Sequence, residues 1–160
     1  MPIKYPVAPG TILLCNYNTG FVAPEMVKRR PAVVISPRLQ RRDGLCTVVP
    51  LSTTPPAGEL LYQCRLELTE ALPPPFTSTT MWVKADMLAT VCFERLDLFR
   101  TERDQSGKRK FLVPKIYPED LIRVRCCVLH ALGLEAVRKL IAGEKGRWIG
   151  ACQEGVFGKR

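Results

Sequence analysis

Histidine, acidic residues and recognisable ligand-binding motifs are all scarce in this chain. Its 160 residues include one histidine, and 15 Asp or Glu stand against 24 Lys or Arg. A Ser-His-Asp arrangement must therefore use His130, which lies in the apolar run Cys126-Cys-Val-Leu-His-Ala-Leu and reads as a structural residue on a helix. No G-x-x-x-x-G-K-[ST] or G-x-G-x-x-G occurs, so phosphate-cradling nucleotide loops find no support. The seven cysteines (15, 46, 64, 92, 126, 127 and 152) form no C-x-x-C pair, and carboxylates form no D-x-D cluster. A metal site is not expected, and neither is a cofactor. No uncharged apolar run approaches the roughly 18 residues that a bilayer span requires. The start, MPIKYPVAPGTILLCNY, resembles neither a signal peptide nor a transit peptide. A cytoplasmic protein without membrane attachment is expected.

What is present suits one globular domain: 46% hydrophobic and 24% charged residues, on a chain long enough to bury a sizeable core. A net charge of +9 suggests a polyanionic partner. The first two-thirds is written at strand period. Thr11–Tyr17, Pro31–Pro37, Leu45–Leu51, Tyr62–Leu68, Thr80–Lys84 and Met87–Phe93 read as strands. In Tyr62–Leu68 the residues Tyr62, Cys64, Leu66 and Leu68 share one face, with Gln63, Arg65 and Glu67 on the other. Leu98–Arg103 and Arg109–Val113 predict a hairpin around Gly107. The period then becomes helical: Pro118 at a first-turn position, Glu119 and Asp120 after it, apolar residues through Leu132, and Gly133 as the stop. A second short helix is expected over Glu135–Ala142. These signals predict a mainly β fold with C-terminal helices, a small barrel or sandwich. The domain is expected over residues 1–143, followed by a glycine-rich basic tail at 144–160.

The segment Glu25-Met-Val-Lys28-Arg29-Arg30-Pro31-Ala-Val-Val-Ile-Ser36-Pro37 puts an acid and three cations immediately before a buried strand. It reads either as a solvated charged turn or as a device in which the strand fixes Arg30. A fixed guanidinium can hold a phosphate bidentately, and Glu25 can accept a proton nearby.

The blocks P-G-T-I-L, then E-x-x-K-R-R-P-A-V-V-I-S-P, T-V-V-P-L-S-T at 47–53, and Val83-Lys-Ala-Asp86-Met-Leu-Ala-Thr-Val91 with Arg95-Leu96 following, resemble the PemK/MazF family of toxin–antitoxin ribonucleases. The likeness spans roughly residues 9–134, helix included. It implies an SH3-like β-barrel, a homodimer, and metal-free cleavage of single-stranded RNA by attack of the ribose 2′-hydroxyl on the adjacent phosphate. It also implies an acidic antitoxin partner that fills the RNA groove. By position, the resemblance makes Arg30 the phosphate stabiliser, Ser52 a phosphate-bonding hydroxyl, and Glu25 and Asp86 alternative bases. Lys28, Arg29, Thr53 and Lys84 become RNA contacts, and the basic loop holding Arg38, Arg41 and Arg42 can track an RNA backbone. Trp82 can stack a base, although its place in a strand beside Met81 and Val83 favours the core. Departures from the family pattern are the loop insertion Phe21-Val-Ala-Pro24, Ser instead of Thr at 52, and the tail. The alternative is a non-catalytic toxin of the CcdB kind or a nucleic-acid-binding module.

Overall fold

The computed structural model describes residues 2–103 and 105–137. Most of the expected helix at Glu135–Ala142 and all of the tail at 144–160 lie outside the described residues. The strands are β1 (Ile12–Asn16), β2 (Arg29–Val34), β3 (Leu45–Ser52), β4 (Arg65–Glu67), β5 (Thr80–Val83), β6 (Ala89–Cys92), β7 (Leu96–Asp97), β8 (Phe99–Arg103) and β9 (Arg109–Leu112). The helix α1 (Pro118–Ala131) follows them.

β3 organises the sheet. It pairs with β2 along one edge, through Ala32↔Pro50 to Val34↔Val48. Along its other edge it is divided: Leu45–Val48 pair with β6, whereas Leu51 and Ser52 pair with Val83 and Trp82 of β5. The hydrogen-bonded order is β4-β5-β3-β2-β1-β7 with β6 on β3, all pairs antiparallel. β4 and β7 end the ladder and do not pair with each other. The sheet is thus the expected mainly β architecture with a terminal helix, but curled rather than closed as a barrel. β8 and β9 form a separate hairpin.

Both faces are apolar over the central strands, which explains the unbroken runs at Pro31–Pro37 and Leu45–Leu51. Ile12, Val33, Val49, Leu51, Leu66, Met81 and Val83 pack with Val124, Cys127 and Val128 of α1. On the opposite face Leu13, Cys15, Tyr17, Ala32, Val34 and Val48 pack with Val91, Phe93 and Leu96. The residues of Tyr62–Leu68 divide between faces as the alternation predicts. Leu66 is buried in the helix-side core with Cys64 and Leu68 packed against it, while Arg65 and Glu67 stay exposed.

Several boundaries move: the strand expected over Pro31–Pro37 runs from Arg29 to Val34, and two further shifts have a local cause. β4 begins late because Gln63 N–H donates to the Leu60 carbonyl at 2.9 Å, which turns the chain just before it. The expected strand Met87–Phe93 shrinks to β6 between two 3₁₀ turns, Ala85–Met87 and Phe93–Arg95. Ala85 is buried and its N–H reaches the Tyr62 carbonyl at 3.3 Å, so this turn is tied to the core rather than extended.

The helix follows its sequence cues. Pro118 opens it, and Glu119 and Asp120 sit where the positive end of the dipole favours acids. Gly133, at φ +68°, ends it, with Gly133 N–H on the His130 carbonyl at 3.1 Å. His130 Nδ1 lies 3.1 Å from Glu135 Oε1, a structural tie. No described helix is long and apolar enough to cross a membrane.

Candidate active site

Strand pairing assigns each residue of the basic segment to a face. Arg30 lies opposite Cys15 and shares the face of Ala32 and Val34, away from α1. Arg29 lies opposite Asn16 on the helix side and is ion-paired with Asp97. The two arginines therefore point apart, and the charged run is not one patch. Lys28, at φ +71°, makes the bend into β2, and its carbonyl closes the preceding loop by accepting from Tyr17 N–H at 3.0 Å.

Continuing the β2–β3 register by two residues sets Arg30 across from Ser52, on the same face. Arg30 is half-buried, and its Nε is a buried donor with no hydrogen-bond partner among the described residues. Such a donor is costly to leave unmade in a finished fold. Ser52 closes a local turn, its Oγ accepting from Thr54 N–H at 3.1 Å while its own O–H stays available. Thr53 is exposed beside it.

On the other side of β3 the same face continues into β5. Ser52 pairs with Trp82, and Lys84 N–H donates to the Pro50 carbonyl at 3.0 Å. Lys84 Nζ donates to Gln63 Oε1 at 2.7 Å, and Gln63 Nε2 donates to Asp86 Oδ1 at 3.4 Å. Partial burial lowers the Lys84 pKa, an effect opposed by the Asp86 charge. Trp82 is half-buried and belongs to neither apolar cluster, which corrects the expectation that it is core. Its register puts it between Ser52 of β3 and Arg65 of β4.

The Glu25 loop is braced from below. Arg95 Nη1 donates to the carbonyls of Asn16 at 3.1 Å and Thr19 at 2.8 Å. Its guanidinium lies 5.4 Å from the Phe21 ring centre, and Phe21 meets Tyr17 edge-on at 5.0 Å. Gly20, at φ +79°, supplies the left-handed bend, where an added Cβ would stand 3.4 Å from Arg95. At the tip Val22 N–H donates to Glu25 Oε2 at 2.7 Å, and Glu25 is exposed.

The structure gathers Arg30, Ser52, Thr53, Lys84 and Asp86 at one end of the β2-β3-β5 face. Arg41 and Arg42 belong elsewhere, in the loop joining β2 to β3 at the opposite end of both strands. At the rise of a strand that end is about 20 Å from Arg30. There Arg38 pairs with Asp43 at 3.0 Å, and Arg41 adopts φ +58°. Gln63 carries no motif of its own, and Arg95 belongs to the last family block without a role attached to it there. Gln63 is legible only as an outward position in an alternating strand, and the bracing role of Arg95 depends on a contact 76 residues away in sequence. Among the described residues no three His, Cys, Asp or Glu side chains gather as a metal-ligating group.

A curled antiparallel sheet with a closing helix has counterparts among toxins of solved structure. A mycobacterial endoribonuclease, solved in complex with its cognate antitoxin, superposes with a TM-score of 0.53 at 18% identity, over 81% of this chain and 97% of that one. The Mycobacterium tuberculosis toxin MazF-mt6 gives 0.51 at 16% identity, over 79% and 98%. MazF from Deinococcus radiodurans gives 0.50 at 23%, over 81% and 98%. At these identities the likeness is one of fold. In sequence, the chain is 32% identical over 103 residues to YifN, an uncharacterized protein of Escherichia coli (strain K12), over 62% of this chain and 68% of that protein. Residues 8–111 match the profile of the PemK-like, MazF-like toxins of type II toxin–antitoxin systems, and the chain belongs to that family.

Proposed function

We propose that this chain is an endoribonuclease toxin that cuts single-stranded RNA by in-line attack of a ribose 2′-hydroxyl on the adjacent phosphate. The observation that carries this reading is the half-buried Arg30 at the entrance to β2, set across from Ser52 on the same face. The attack needs three services: removal of the 2′ proton, neutralisation of the charge on the five-coordinate phosphorus, and a proton for the departing 5′-oxygen. Glu25 or Asp86 takes the proton. Arg30 and the Ser52 hydroxyl hold the non-bridging phosphate oxygens. Lys84, whose burial weakens its grip on its proton, stands near enough in the face to assist the leaving oxygen. The products are a 2′,3′-cyclic phosphate and a 5′-hydroxyl, and no step requires a metal.

Thr53 and Lys28 extend the RNA contacts around this centre, whereas Arg29, ion-paired with Asp97 on the opposite face, serves RNA away from it. Arg41 and Arg42 serve a stretch of RNA distant from the cut. The toxin works as a homodimer in the cytoplasm. It is neutralised by an acidic antitoxin segment whose carboxylates replace phosphates on the basic face. The family assignment supports the antitoxin, and the charge of +9 supports a polyanionic ligand.

The test is cleavage of a mixed-sequence RNA by antitoxin-free protein in EDTA, with the end groups of the fragments identified. Arg30→Ala is expected to lose about 10²–10³ in rate, the scale for removing one preorganised donor to a developing oxyanion. Full activity in a folded Arg30→Ala protein overturns the mechanism. RNA binding without any cleavage by the wild type overturns the enzyme reading in favour of a binding module.

A further inference from the structure

Gln63 lies outside every family block quoted above, yet its side chain touches two charged groups of the candidate site. Its carboxamide oxygen accepts from Lys84 Nζ at 2.7 Å, and its amide nitrogen donates to Asp86 Oδ1 at 3.4 Å. The chemistry of the neighbours dictates this orientation. A flipped amide would face its N–H groups to an ammonium and its oxygen to a carboxylate.

Lys84 and Asp86 sit on either side of Ala85, where β5 gives way to the 3₁₀ turn. They form no direct ion pair; the amide stands between them. The Gln63 backbone is itself held, with its N–H on the Leu60 carbonyl at 2.9 Å and the neighbouring Tyr62 carbonyl accepting from Ala85 N–H at 3.3 Å. An anchored amide of fixed orientation thus spaces a cation from an anion that would otherwise neutralise each other.

We propose that Gln63 is a positioning residue for the RNA cleavage reaction: its amide holds Lys84 and Asp86 apart and aimed at the face that carries Arg30 and Ser52. The proposal rests on the endoribonuclease reading above. A neutral spacer fits the chemistry, because a base must keep its lone pair and an acid its proton until substrate arrives. A direct Lys84–Asp86 pair would engage both groups with each other.

Two variants and one spectroscopic measurement test it. Gln63→Met keeps the length of the stem and removes both hydrogen bonds. It is expected to lower kcat about 10- to 100-fold, the scale for misplacing reacting groups, with KM within about two-fold of wild type. Gln63→Glu places a carboxylate against Lys84, so the alkaline limb of the pH–rate profile is expected to move to higher pH. The other charged groups on this face are Asp86 beyond Lys84, Arg65 and its partner Glu67 on β4, and Arg30 on β2; none changes in this variant. A residue that only supports the fold would lower stability and leave the limb in place.

The measurement independent of activity is the side-chain 15N–1H signal of Gln63 in wild-type protein. It is expected to shift as Asp86 titrates, and to lose that shift in Asp86→Asn. Failure of the cleavage reading leaves this signal intact. A Gln63 signal blind to Asp86, or a Gln63→Met variant with unchanged kcat in an otherwise Arg30-dependent enzyme, overturns the positioning role.

Discussion

Trp82 is half-buried on the face of Arg30 and Ser52, between Ser52 and Arg65, with its indole in neither apolar cluster. An aromatic surface one strand from the phosphate site can stack a base, which contributes about 1–3 kcal/mol per base. Trp82→Ala is expected to raise KM about ten-fold or more for a short RNA, and Trp82→Phe to recover most of the loss; equal KM in all three proteins removes Trp82 from the groove. Tyr17 offers a contrast inside the core. Its ring is fully buried, its hydroxyl lacks a hydrogen-bonding oxygen or nitrogen among the described residues, and its polar neighbour is the Cys15 thiol. Tyr17→Phe is therefore expected to change stability by less than about 1 kcal/mol, whereas Tyr17→Ala costs about 3–5 kcal/mol through the cavity it opens. Denaturant midpoints of the two variants decide this. Of the site, Arg30 was legible because a charged residue followed by Pro and an apolar run must sit at a strand entrance. Gln63 was not, since an outward polar residue in an alternating strand looks the same whether it meets water or a lysine.

At the level of elements, the strands with unbroken apolar runs were the most legible, because burial on both faces leaves a composition that nothing else explains. α1 was equally plain from Pro118 to Gly133. The chain between Ala85 and Asp97 was not. Its two 3₁₀ turns depend on the buried Ala85 and Phe93, whose tertiary contacts override the β-rich sequence around them. β4 also shows how alternation translates into energy. Leu66 is buried against Met81 and the helix side of the core, while Glu67 next to it is exposed. Leu66→Ala is expected to destabilise by about 2–5 kcal/mol. Glu67→Ala should stay within about 0.5 kcal/mol, since its contacts with Arg65 and Thr80 lie at the surface. Comparable losses in the two variants would place the core on the wrong side of β4.

For the molecule as a whole, stability depends on pH through buried thiols on the face that also carries Arg30. The thiols of Cys15 and Cys46 lie on the face away from α1, where burial pushes both up to about 11 from an ordinary value of 9.0; burial also raises the Tyr17 phenol. A folded-state value above the unfolded one means that stability is complete below pH 9 and falls as pH rises toward 11, because the unfolded chain releases these protons first. Between pH 8 and 10.5 the unfolding free energy is expected to drop by about 4 kcal/mol, half of it from each thiol, read from urea midpoints under reducing conditions. A flat profile over that range would show that these thiols are open to solvent in the folded protein.

β3 has a consequence for how the chain comes to be folded. Its eight residues pair with β2 along one edge and with β6 and then β5 along the other, so each part of the sheet reaches the rest through this strand. Its partners come from sequence positions as early as Ala32 and as late as Cys92, and such distant closures make folding slow relative to a helical chain of the same size. The amides of Val48, Val49 and Leu51 are expected to exchange with deuterium together, at the free energy of global unfolding. A protein whose β5 edge exchanged freely while its β6 edge stayed protected would have two independent halves. The shared strand leaves no half that can open alone, and so ties the order of the Arg30–Ser52 face to the survival of the entire domain.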